Sequence, residues 1–286
     1  MNRFCLIAAL VCSLLLTSAC SGSAYKLPNV SPEEKKAAEE KIASDISKLK
    51  VYKRSDSAYK TRIANISKRL HKGAGPLCEQ AEYDPCYFEV IYSDENVVNA
   101  YAHEDYKITV FKVLLQYLKN DDEMAALVAH EMGHHLAKHN QETLRNAQTG
   151  AVVSGVFTAL LLGAANANNP YYYNSYQQQQ DQKTINDMMQ VGFEIGKVSY
   201  SKEQEREADL LAAYLLGHSG YNLDKAQGMM YTLARLNGDE IKVEGKAALL
   251  KTHPPTSERY IAWAKAKEEI QHSASKLPVL VGGEAQ

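Results

Sequence analysis

Apolar side chains return at intervals of three and four through Tyr59, Ile63, Ile66 and Leu70, which predicts a helix from about Ala58 to His71 with one buried face. Its expected end is the glycine-rich "KGAGP". Before it, "SPEEKKAAEEKIASDISKLK" offers Ser31 as a helix cap, Pro32 at the first position and acids in the first turn. The pattern then changes. "YFEVIY" (Tyr87–Tyr92) and "KITVF" (Lys107–Phe111) are β-branched and aromatic, the composition of strands, and "SDENVVNAYAHED" between them has room for a third short one. Helical spacing resumes in "DEMAALVAHEMGHHLAKHNQE", with Asp121 or Asp122 as the expected cap. "SKEQEREADLLAAYLL" predicts a further helix capped by Ser201, and others are expected near Leu223–Leu236 and Thr256–Ile270. The elements add up to a mainly helical α+β fold with a small sheet.

Composition narrows the function. The 286 residues are 45% apolar, enough for one substantial core. The net charge is -2 with both signs interspersed, so no basic field points to nucleic acid. The first twenty residues, "MNRFCLIAALVCSLLLTSAC", resemble a bacterial lipoprotein signal, cut before a cysteine that then carries lipid. That cysteine would be Cys20; Thr17 stands where such signals usually have leucine. The apolar run is short for a membrane span. Ser21 follows the cysteine, with no aspartate there to favour the inner membrane, so the expected location is the periplasmic face of the outer membrane. Cys5 and Cys12 would leave with the signal, and Cys78 and Cys86, separated by "EQAEYDP", are expected to pair in that oxidising compartment rather than bind metal.

The chemistry centres on "HEMGH", residues 130–134. On a helix His130 and His134 share a face and can reach one ion, while Glu131 on the adjacent flank can take a proton from an attacking water. With nine histidines in the chain, the pattern arises by chance in roughly 2% of shuffled sequences, so metal is favoured over accident. Gly133 leaves room for another element to approach. A catalytic zinc takes a third protein ligand. A histidine six residues past His134 is ruled out, because Asn140 stands there. His135 and His139 are expected to be surface or supporting histidines. "EQEREAD" offers a carboxylate instead: Glu205 can bind metal while Asp209, four residues on, orients a ligand histidine. Glu203 and Glu207 have no aspartate one turn further to support them.

"HEMGH" followed by "SKEQEREAD" resembles the zinc metallopeptidase family of the CAAX prenyl protease and HtpX, and within it the periplasmic lipoprotein and soluble members of the BepA and LoiP type. The resemblance runs from about Tyr59 to Arg259. It implies a gluzincin-like zinc metallopeptidase fold whose active-site helix carries the motif. One Zn2+ is expected on His130, His134 and Glu205, with Glu131 as general base and Asp209 in support. "VNAYA" (Val98–Ala102) is similar to the edge strand on which these peptidases align a peptide, through Asn99 and Ala100, although "HEDYK" replaces the glycine-containing turn that usually follows. In "HPPTSER", His253 and Arg259 match a family pattern whose histidine lies near the metal; His253 is expected either to latch the site or to stabilise the oxyanion.

From Asn146 to Gln180 there is no charged residue. Gly150–Ala167 is apolar, and "NNPYYYNSYQQQQDQ" after it is low in complexity and not expected to hold one structure. A single membrane span here would put the two halves of the metal site on opposite sides of the bilayer, which leaves a lid or a surface-lying element. The expected organisation is a signal (1–19), a lipidated tether and N-terminal helix (20–50), a metallopeptidase domain (51–272) with an insertion at 146–182, and a flexible tail (273–286). The expected role is quality control, with unfolded or misassembled envelope proteins as substrates, the membrane engaged through Cys20, and the outer-membrane assembly machinery as a candidate partner. The rival is a mostly latent, chaperone-like scaffold.

Overall fold

The computed structural model describes residues 23–44, 49–103, 105–166, 175–196, 200–238, 253, 257–273 and 276–282. The expected signal, Cys20 and the start of the tether lie outside them. Helix α1 (Pro32–Ser44) opens with a reciprocal cap. The Glu34 amide donates to Ser31 Oγ at 3.2 Å, and the Ser31 amide to Glu34 Oε2 at 2.8 Å. Helix α2 (Asp56–Gln80) buries the predicted stripe of Tyr59, Ile63, Ile66 and Leu70, but it runs on through Pro76 rather than ending at "KGAGP". Burial explains the extension: Gly73 lies against the end of another helix, where a Cβ would meet Ser219 Oγ at 2.3 Å, and Ala74, Leu77 and Cys78 continue the buried face. That packing outweighs the hydrogen bond a proline removes. Cys78 is disulfide-bonded to Cys86 (S–S 2.04 Å).

Strands β1 (Glu89–Ser93), β2 (Ala100–Ala102) and β3 (Lys107–Phe111) form a sheet in the order β1-β3-β2. β1 runs parallel to β3, with Glu89 opposite Lys107, and β2 antiparallel to it, with Ala100 opposite Val110. The short third strand therefore exists, at the sheet's edge. A turn of helix, α3 (Lys112–Leu115), leads to α4 (Asp121–Leu136), which carries "HEMGH". Its cap is Asn120, not Asp121 or Asp122: the Asn120 side chain accepts from the Glu123 amide, and the acids fall in the first turn, where the helix dipole favours them.

Helices α5 (His139–Asn166) and α6 (Ser175–Gly196) pack chiefly on each other. The glutamine run expected to lack fixed structure is helical from Ser175 onward, with Gly155 of α5 set against the Met189 side chain. No helix among the described residues is long and apolar enough to cross a membrane. Helix α7 (Lys202–His218) starts at Ser201 with Gln204 completing a capping box. The helix expected over Leu223–Leu236 is broken at Gln227 into α8 (Leu223–Ala226) and α9 (Gly228–Gly238); α10 (Ser257–His272) follows. The segments expected to be a tether and a loose tail lie together: Leu280 pairs with Tyr25, which is 3% exposed, and the Lys26 amide donates to Val279 O at 2.7 Å.

Helix α4 is the centre of the core, enclosed by α2, α7 and the sheet. Every residue from Glu123 to Leu136 is buried. Its closest neighbour is α7, and the crossing point is Gly133, where a Cβ would lie 2.5 Å from Ala208 O and 3.0 Å from Ala208 Cα. Backbone, not a yielding side chain, occupies that space. Gly133→Ala is therefore expected to push α7 away from α4, cost about 1–3 kcal/mol of stability, and weaken any metal held between the two helices. Denaturant unfolding of the metal-free protein, paired with a zinc titration, checks both effects.

Candidate metal centre

Two histidines from α4 and a glutamate from α7 meet where those helices cross. His130 Nε2 and His134 Nε2 lie 3.1 Å apart. Glu205 Oε1 is 3.3 Å from His134 Nε2, and Glu205 Oε2 is 3.6 Å from His130 Nε2. His253, from the connection between α9 and α10, brings Nδ1 to 3.0 Å from Glu205 Oε1 and 3.4 Å from His130 Nε2. One ligand atom from each of the four lies within 4.8 Å of the others, and all four residues are buried. Glu131 is buried beside them, and its Oε2 has no hydrogen-bonding partner.

Each donor is held from behind. Asp209, one turn beyond Glu205, sets Oδ1 2.9 Å from His130 Nδ1. Arg259 of α10 reaches Asp209 with two nitrogens, at 2.7 and 2.8 Å, and Glu205 Oε2 with a third at 2.5 Å. Burial would raise the Glu205 carboxyl, but Arg259 and His253 hold it well below the ordinary carboxylate range, and Arg259 lowers Asp209 in the same way. Burial pushes His134 well below the usual imidazole range and so keeps it neutral. Burial opposes the charging of His253, but Glu205 and Glu131 outweigh it and raise that imidazole.

The donor set fits a divalent ion. A tetrahedral zinc with bonds of about 2.0–2.1 Å to nitrogen and oxygen has ligand atoms about 3.3 Å apart, and the closest approaches here run from 3.0 to 3.6 Å, with Glu205 Oε2 facing His130 and Oε1 facing His134 and His253. With their Nδ1 atoms engaged elsewhere, His130 and His134 turn two imidazole lone pairs toward a carboxylate. Such acceptors repel one another unless a cation lies between them. Charge agrees: Glu131, Glu205 and Asp209 are buried against one buried guanidinium, Arg259.

His130, His134, Glu131, Glu205, Asp209, His253 and Arg259 thus come together from three stretches of sequence. Asn99 and Ala100 stand where β2 begins, and the Ala100 amide donates to Asn99 Oδ1 at 3.0 Å. Sequence reasoning missed two contributors, Glu207 and Tyr200, and left His139 open between a surface and a supporting role. His139 is buried with Nδ1 2.9 Å from His134 Nδ1, because α4 ends at Leu136 and Lys138 turns the chain through a left-handed φ of 59°. Glu207, expected to lack support, is buried and 3.1 Å from His139 Nε2, whereas Glu203 is exposed. Tyr200 stacks on the His134 ring, with centroids 3.8 Å apart, and its hydroxyl donates to Asn140 Oδ1. Burial raises that hydroxyl well above the usual tyrosine range. Only the nearness of Tyr200 to the Ser201 cap signalled its place.

Residues 63–266 match the model of peptidase family M48. The mitochondrial metalloendopeptidase OMA1 of Arabidopsis thaliana is 27% identical over 71% of this chain, and the beta-barrel assembly-enhancing protease of Yersinia pestis is 27% identical over 59%. The chain spans only 37% and 32% of the lengths of those two relatives. The metalloprotease YcaL of Escherichia coli is 23% identical over 83% of this chain and 81% of its own length. The matched segment contains both helices of the candidate metal centre, His253 and Arg259, and the chain belongs to peptidase family M48.

Proposed function

We propose that this protein is a zinc-dependent endopeptidase of the bacterial cell envelope. It faces the periplasm, is tethered to the outer membrane by lipid on Cys20, and hydrolyses misfolded or unassembled envelope proteins. The observation that carries the catalytic reading is the buried set of His130, His134 and Glu205, whose donor atoms lie within 4.8 Å of one another, with the unpartnered Glu131 Oε2 beside it. Two imidazoles and a carboxylate are the ligand chemistry of a catalytic zinc. When bound, zinc supplies Lewis acidity at the scissile carbonyl and makes the attacking water more acidic. Glu131 takes the proton of that water and delivers it to the leaving amine. β2 sits on the sheet's edge and packs on α4, so an extended peptide would add beside it, with Asn99 and Ala100 supplying contacts. The lipoprotein-like signal supports the location. A relative named for enhancing β-barrel assembly supports unassembled outer-membrane proteins as substrates and their assembly machinery as a partner.

A second reading, a mostly latent chaperone-like scaffold, is favoured by one observation. His253 belongs to the same donor set as the ligands, so the chain's own imidazole takes the fourth place. Latency and proteolysis are then two states of one site, with His253 as the latch.

Purified protein is expected to hold about one zinc per chain. Glu131→Gln should keep the metal and lose cleavage of casein or an unfolded porin. Glu205→Ala should lose both, and Glu203→Ala neither; a zinc-free Glu131→Gln protein would contradict this division of roles. His253→Ala is expected to raise cleavage of the unfolded substrate. A fall of roughly 100-fold with zinc retained would assign His253 to the oxyanion instead.

A further inference from the structure

One line of hydrogen bonds leads from the metal centre to the beginning of the described chain. His134 Nδ1 is 2.9 Å from His139 Nδ1, His139 Nε2 is 3.1 Å from Glu207 Oε2, and the Ala24 amide donates to Glu207 Oε1 at 2.7 Å. His134, His139 and Glu207 are 0%, 1% and 4% exposed, so water does not compete for the two bonds among them, while the bond from the exposed Ala24 is part-buried. With both imidazoles neutral, the direction of each bond follows. A carboxylate accepts, so His139 must carry its proton on Nε2 and give it to Glu207. The Nδ1 of neutral His139 is then a lone pair, and it accepts from Nδ1–H of His134. His134 Nε2 is left as a lone pair, facing His130 Nε2 and Glu205 Oε1.

We propose that His139 and Glu207 are positioning residues for the metal ligand His134, and that the N-terminal segment at Ala24 completes their hydrogen-bonded line, so that seating of this segment tunes metal binding. His130 has a one-residue version of the same support in Asp209. The line from His134 is longer, and its last member is a backbone amide more than a hundred residues away in sequence. That amide is well held. Val281 N donates to Ala24 O at 2.9 Å, Lys26 N to Val279 O at 2.7 Å, and the buried Tyr25 lies between. Glu207 thus receives a donor from each side, one from the metal centre and one from the paired segments at Ala24 and Val281.

The proposal rests on the metal-binding reading, and the full chain tests the two separately. Zinc affinity is measured by competition with a chelating dye, the ligand field by the visible absorption of the cobalt-substituted protein, and folding by denaturant unfolding without metal. His139→Ala and Glu207→Ala should each weaken zinc binding by about 10–100-fold and shift the cobalt bands. The double variant should lose no more than the larger single loss, because both residues act through one line. Glu203→Ala should match the wild type. Glu207→Gln keeps the shape of the side chain but can accept from only one of its two donors, so it should show a smaller loss with the fold intact. Ala24→Pro, which removes the outermost donor while fixing φ at that position, should shift the cobalt bands in the same sense. Wild-type affinity and bands in both Glu207→Gln and His139→Ala would overturn the proposal, even if metal-free stability fell. A wild type that binds neither zinc nor cobalt would overturn the metal reading beneath it.

Discussion

Helices α4 and α7 touch backbone to backbone at Gly133, and the metal centre exists because they do. His130 and His134 come from one helix and Glu205 from the other, with 3.3 Å between His134 Nε2 and Glu205 Oε1. A side chain at the crossing would enlarge that gap, since Ala208 O lies 2.5 Å from where a Cβ would be. Packing also decides the electrostatics. Because α4 is enclosed on every side, the groups of "HEMGH" are removed from water, and their charges must be met from within. Arg259 of α10 meets the two carboxylates that face these histidines, Asp209 and Glu205 of α7. Removing one partner of such a buried set is far costlier than exposing a surface pair. The helix order α4, α7, α10 is thus an order of dependence: histidines, then the carboxylate that completes their set, then the cation that allows the carboxylate to be buried.

Much of this was legible in the chain. The 3.6-residue period marks α4, and the i,i+4 spacing of His130 with His134 and of Glu205 with Asp209 puts each pair on one face. Ser201 and Gln204 announce the start of α7 through their capping box. β1 and β3 coincide with the β-branched runs, and "VNAYA" contains the edge strand. These features are local, and local patterns survive folding when nothing in the tertiary structure opposes them.

What escaped the sequence was decided by burial. Neither Gly nor Asn marks the turn at Lys138, which adopts a left-handed conformation with no cue for it, so His139 was placed along α4 instead of folded back on His134. Glu207 reads as one acid in a charged run, yet α7 is buried from Glu207 through Leu216, and a charge on that side must find a partner. Pro76 argues against a helix in any sequence, but the face formed by Gly73, Ala74 and Leu77 keeps α2 going. The pairing of Tyr25 with Leu280 is the extreme case, since segments at opposite ends of a chain give no mutual signal.

The two sides of the metal centre differ in how they are held, and that difference bears on how the site can work. His130, His134 and Glu205 are each fixed by a second buried group: Asp209, His139 and Arg259 respectively. His253 has no comparable brace among the contacts described; it faces Glu205 and His130 at 3.0 and 3.4 Å, atoms that already have partners of their own. With none of the four donors more than 3% exposed, a polypeptide cannot reach the cluster as it stands. On the proposed reading, moving His253 aside takes one neighbour from Glu205 but leaves Arg259 on it and Asp209 and His139 on the two histidines, whereas moving any of those three donors would leave a buried charge or donor unpaired. The energetically cheap route to an open site is therefore the one that displaces the fourth residue and keeps the other three.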